Sequence, residues 1–98
     1  MKLPIAFRRQ AQEELEEAAA WYELQSAGLG ERFKDCVEEV LDRIAATPEI
    51  HGRVYEGVRC AKVRRFPFAV YYQVEPDRVV AIAVFHSSRH PREWHRRV

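Results

Sequence analysis

Cysteine is scarce in this sequence, with Cys36 and Cys60 the only two. A small secreted scaffold framed by disulfides carries more. Both therefore read as reduced, small core or boundary residues. Neither has a second Cys or His at ligand spacing, so no metal site is expected. No apolar run approaches the roughly 18 residues that span a bilayer. The opening stretch MKLPIAFRRQ lacks the apolar core of a secretion signal. These absences predict a cytoplasmic protein with no membrane partner. A Gly-rich phosphate loop, an HExxH helix, a paired CxxC and a GxSxG elbow are also missing. No cofactor is expected. Net charge is nearly absent too, at +1, which on its face argues against nucleic acid.

What the chain does have is a composition suited to one folded domain over residues 1–98. Of its 98 residues, 47% are hydrophobic and 32% charged, which excludes a disordered chain. The near-zero charge conceals a split. Residues 1–50 hold 6 Lys+Arg against 11 Asp+Glu, a net of −5. Residues 51–98 hold 10 against 4, a net of +6, and all four histidines. Such asymmetry suggests an acidic partner, or acidic helices balancing basic strands within the fold.

The spacing predicts the elements. Residues 3–7 form a short apolar run that Pro4 confines to an edge strand or a strand start. Leu15, Ala18, Ala19 and Tyr22 share one face of a helix over 8–26, and Glu13, Glu14, Glu16 and Glu17 fill a solvated outer face. Gly28 suits a left-handed cap and Gly30 can open the next turn. Phe33, Val37, Val40, Leu41 and Ile44 mark a second helix over 31–46, which Thr47-Pro48 ends. The short connection makes an antiparallel helical hairpin. Strands follow at 58–66, 68–75 and 79–86, with a short extended piece at Val54-Tyr55. The turn Glu75-Pro76-Asp77-Arg78 joins the last two. The run 79–86 is apolar enough to sit centrally, covered on both faces. A short terminal helix can begin at Pro91. The expected fold is α+β, in the order β-α-α-β-β-β. It has an N-terminal edge strand and the hairpin packed on a small antiparallel sheet.

The chemistry-bearing residues are basic and aromatic, and they cluster late. Alternation along 58–66 places Cys60, Lys62 and Arg64 on one face, and Arg59, Ala61, Val63 and Arg65 on the other. Arginines recognise phosphates and carboxylates through forked hydrogen bonds. His86 ends the central strand beside Arg89; a general acid or base would fall there first, but the sequence favours a histidine that caps the sheet end with a hydrogen bond. Trp94 can stack on a partner or close the core, and the core reading is favoured.

The segment GVRCAKVRRFPFAVYYQVEPD and the ending VFHSSRHPREW, with this element order, resemble the RelE/ParE superfamily of type II toxin–antitoxin toxins. The resemblance covers almost the whole chain. It implies a growth-inhibiting bacterial toxin neutralised by a cognate antitoxin, which wraps the helical hairpin and the sheet groove. RelE-like members cleave mRNA on the ribosome without a metal. ParE-like members bind DNA gyrase and trap its cleavage complex, and are not enzymes. RelE-like ribonucleases place an arginine early in the third strand, close to the scissile phosphate, where this chain has Ala69. Alanine cannot stabilise transition-state charge, so the resemblance points to the ParE-like branch. Target-binding residues are then expected among Arg59, Lys62, Arg64, Arg65, His86, Arg89, Arg92 and Trp94. The alternative, a ribosome-dependent endoribonuclease, would use Arg59, Arg65, His86 and Arg89. A further alternative is a non-toxic interaction protein of the same fold.

Overall fold

The computed structural model describes residues 2–90 and 92–98. Strand β1 (Ile5–Phe7) leads into helices α1 (Arg9–Gln25) and α2 (Leu29–Ala46). Strands β2 (Arg53–Tyr55), β3 (Val58–Lys62), β4 (Phe68–Val74) and β5 (Val79–His86) follow, then a short helix α3 (Arg92–His95). The proposed helix start at Pro91 lies outside the described residues.

The five strands form one sheet in the order β1-β5-β4-β3-β2. The fold is α+β as expected, but the sheet is mixed. β1 pairs parallel with β5, while the other pairs are antiparallel. The reason is the connection: the whole helical hairpin and three strands separate β1 from β5, so no tight turn dictates an antiparallel return. Pro4 precedes β1, and its carbonyl accepts from the Val79 N–H at 2.9 Å.

The hairpin closes tightly. Gly28 takes φ 86° before α2, a conformation that glycine adopts at no steric cost. The Glu23 carboxylate accepts from the N–H groups of Gly28 and Gly30 at 2.9 and 3.0 Å. A side chain of α1 thus satisfies donors at the α2 N-terminus. At Gly30 a Cβ would lie 2.5 Å from the Ala19 carbonyl oxygen. Glycine there permits the helices to cross closely. At the other end of the fold, Glu56 and Gly57 both take positive φ between β2 and β3. Two such residues make the hairpin turn whose twist matches the strands.

Side chains from both helices pack on one face of the sheet, called here the front. Phe33, Val37, Val40 and Ile44 of α2 meet Ala61, Val70, Tyr72, Ala81 and Val84. Tyr22, Phe33, Phe66 and Phe68 add an aromatic cluster with ring centroids 4.8–6.0 Å apart. The back face holds a second cluster of Val58, Val80, Ile82, Ala83 and Phe85. Trp94 of α3 closes it and is 1% exposed. The core reading of Trp94 therefore holds, and its ring offers no surface to a partner in this structure.

Strand β3 is shorter than the basic run that predicts it. It ends at Lys62, and Val63 to Pro67 turn the chain into β4. Arg64 accordingly does not share the back face with Lys62. It reaches Glu39 of α2, with Nη1 donating to the carboxylate at 3.1 Å.

Candidate functional site

Three features of β5 organise the surroundings. β1 ends at Phe7, opposite Ala81, so beyond that point the outer edge of β5 lacks a strand partner. Tyr71 pairs with Ala83 and Tyr72 with Ala81, leaving Ile82 as a bulge. Both Ile82 and Ala83 consequently sit in the back-face cluster.

Glu14 and Arg97 occupy this bare edge. The Val84 N–H donates to Glu14 Oε1 at 3.0 Å, and Arg97 Nη1 donates to the Ile82 carbonyl at 2.8 Å. The two side chains are each 11% exposed and pair at 2.8 Å. A carboxylate and a guanidinium thus stand in for the acceptor and donor of a missing strand. Glu14 was expected on a solvated face, and neither it nor Arg97 has a sequence signal for this role. Their pairing depends on the short β1 and on the bulge.

Arg89 joins the same network. It bonds Glu14 at 3.2 Å, pairs with Glu93, and lays its guanidinium 3.8 Å from the centre of the Phe85 ring. The hydrogen bond and charge of Glu93 raise the Arg89 pKa, and Arg89 lowers that of Glu93. Two carboxylates therefore already claim this arginine.

The remaining expected residues spread over the molecule. Arg59 is a clamp beneath the loop before β2. Its Nη1 donates to the carbonyls of Glu49 and His51, at 3.1 and 2.6 Å, and only 12% of its side chain is exposed. Arg65 sits at the tip of the β3–β4 turn with φ 69°. It lines a cleft of about 450 Å³ with Leu29, Arg32, Cys36 and Phe66. Lys62 is exposed on the back face. It lies in register with Ala69, which lies in register with Phe85. His86 faces the front. Its ring meets Phe68 edge-on at 5.2 Å, and the Ser88 N–H donates to Nδ1 at 3.0 Å. Arg92 is exposed on α3.

The structure brings His86 and Arg89 to one crevice along α1, with Ala18 and Trp21. It does not bring Arg59 or Arg65 to them. His86 also shares an apolar cleft of about 410 Å³ with Ala18, Trp21, Tyr22, Pro67 and Phe68. Trp21 in its wall is 57% exposed, and Leu24, one turn on, is 84% exposed. The sequence reading missed this apolar surface, although Trp21 and Leu24 both fall off the α1 core stripe. Among the described residues, no group of three His, Cys, Asp or Glu side chains could hold a metal ion. Among the described residues no helix is long and apolar enough to cross a membrane.

A small mixed sheet with a helical hairpin on its front and a short C-terminal helix closing its back matches the toxin fold named by the resemblance above. Comparison bears this out. The family model for the ParE toxin of the type II toxin–antitoxin system parDE matches residues 5–91, and the chain belongs to that family. A chain of the chromosomal ParDE system from P. aeruginosa has a similar fold. It aligns with TM-score 0.62 and 18% identity, covering 87% of this chain and 96% of that one. A chain of the RelBE2 toxin–antitoxin complex from Mycobacterium tuberculosis aligns with TM-score 0.62 and 15% identity. The coverage there is 88% of this chain and 99% of the other. No curated protein matches the sequence.

Proposed function

We propose that this toxin inhibits growth by binding DNA gyrase and trapping its cleavage complex, and that a cognate antitoxin neutralises it. The observation that carries the gyrase reading is the row Lys62, Ala69, Phe85 across the back face. A ribonuclease of this fold needs concentrated positive charge where the phosphate reacts, already oriented before reaction. Here the middle position is a methyl group, 7% exposed. The neighbouring Arg89 is engaged by Glu14 and Glu93, and His86 lies on the opposite face. This dispersal favours a binding surface over a phosphodiester-cleaving centre. Lys62, Arg65 and Arg92 are the Lys and Arg target-binding candidates in no ion pair among the described residues, and Asp35 and Glu39 share the Arg65 cleft.

The antitoxin reading rests on family membership and on the apolar cleft beside Trp21. Exposed aromatic and aliphatic side chains around a concave site suit the apolar face of an amphipathic helix.

Induced expression in a bacterium lacking the antitoxin tests the target. The gyrase reading predicts induction of the DNA-damage response with translation continuing at first. Immediate translation arrest with codon-periodic mRNA cuts, and no damage response, would favour the ribosome instead. Harmless overexpression would favour a non-toxic interaction protein. For the antitoxin surface, Trp21→Ala is expected to weaken neutralisation at least tenfold while leaving toxicity intact.

A further inference from the structure

The C-terminal end of the molecule carries a charged recess that includes Arg92, one of the target-binding candidates above, together with residues that neither the gyrase nor the antitoxin reading uses. It measures about 330 Å³ and is lined by Arg89, Arg92, Glu93, Arg96 and Arg97. Two of its arginines are committed: Arg89 to Glu14 and Glu93, Arg97 to Glu14 and the Ile82 carbonyl. The other two, Arg92 and Arg96, are exposed. Neither has a carboxylate within ion-pair distance among the described residues. The committed pair is held in place by Glu14 and, for Arg89, by the Phe85 ring. It supplies two anchored guanidiniums to the lining, and the free pair is the more exposed.

We propose that this recess binds the phosphodiester backbone of duplex DNA, with Arg92 and Arg96 as its phosphate contacts. The lining decides the class of ligand. Every side chain in it is charged, and none is apolar. A protein–protein interface places aromatic and aliphatic anchors at its centre and depletes charge there. A phosphate backbone requires only cations, and duplex DNA presents one negative charge per roughly 1.7 Å of axis. Arg92 lies on α3 and Arg96 one residue beyond its end, and both line the same recess. The site reads no base sequence, because nothing in it is shaped to enter a groove.

The test is fluorescence anisotropy of the full-length toxin with a labelled 20-base-pair duplex, titrated at salt concentrations from 50 to 200 mM. Two phosphate contacts predict a contribution of about −1.8 to the slope of log affinity against log salt. That is a loss of roughly tenfold over this range. The double variant Arg92→Ala/Arg96→Ala is expected to lose that contribution. Arg32→Ala/Arg53→Ala removes the same charge elsewhere and is expected to shift the slope by less than about 0.5. Both pairs are exposed, and unchanged circular dichroism checks that the variants fold. Equal slopes for wild type and Arg92→Ala/Arg96→Ala would overturn the proposal. So would the absence of binding at 50 mM salt, equal binding of poly-glutamate, or tighter binding of single-stranded RNA through the same arginines. The gyrase reading survives any of these outcomes, since cleavage-complex trapping is measured separately.

Discussion

At the scale of residues, Glu14 holds more of the structure together than any other carboxylate on α1. It accepts from the Val84 N–H, Arg89 and Arg97. Removing it leaves a mostly buried guanidinium uncompensated. Glu14→Ala is therefore expected to cost about 2–4 kcal/mol in urea unfolding. A double-mutant cycle with Arg97→Ala should return a coupling above about 1 kcal/mol. Strictly additive losses would show that the pair stabilises nothing. Tyr72 makes a second residue-scale prediction. Its hydroxyl donates to the Pro48 carbonyl at 2.9 Å, and burial pushes its pKa up to about 12 from 10. The folded state thus retains the phenol proton longer than the unfolded state. Its contribution is complete below pH 10 and disappears as the pH rises towards 12, amounting to roughly 2–3 kcal/mol. Alkaline unfolding should steepen in that window, and Tyr72→Phe should flatten it. Tyr71 is shifted in the same direction, again by burial first, and leaves some slope behind. The position of Tyr72 in a strand was legible in FAVYYQV. The Glu14–Arg97 pair was not, because residues 83 apart in the chain leave no local pattern.

At the scale of elements, the helical hairpin depends on one close approach. Gly30→Ala would set a methyl against the Ala19 carbonyl, 2.5 Å away. That is backbone and cannot rotate aside. The expected loss is about 1–3 kcal/mol from forcing the helices apart, larger than the gain of up to about 1 kcal/mol that alanine brings to a helix. Thermal unfolding measures it, and a rise in melting temperature would refute the account of the crossing. Helix periods in both halves of the hairpin were readable from Leu15 to Tyr22 and from Phe33 to Ile44. The reason for Gly30 was not, since a turn-opening glycine and a packing glycine look alike in sequence. Strand β3 illustrates the reverse error. Alternation continues through Arg64 and Arg65 in sequence, but the chain leaves the sheet at Lys62 so that Phe66 can join the front aromatic cluster. Parallel pairing of β1 escaped notice because three residues carry no signal for the direction of their partner.

At the scale of the whole molecule, the acidic and basic halves balance one another, and only in part. Ion pairs link Glu39 to Arg64, Glu49 to Arg59, and Glu14 to Arg89 and Arg97. Among the described residues, Arg53, Lys62, Arg65, Arg92 and Arg96 in the basic half have no such partner. The split visible in composition thus resolves into cations that hold the fold and cations that remain for other molecules. Sequence could count both kinds but not sort them, because sorting depends on which carboxylate lies within reach. Family and fold class were legible because element order and the RRFPF and VFHSSRHPREW segments extend over the whole chain. Assembly of a site was not, since His86 and Lys62 face opposite sides of the sheet despite similar promise in sequence. The most direct measurement is a DNA cleavage assay with purified gyrase and purified toxin at micromolar concentration. The account predicts accumulation of linear, gyrase-linked DNA, reduced at least tenfold by charge reversal at Lys62 and reversed by antitoxin. Unchanged gyrase cleavage and supercoiling at that concentration would contradict it.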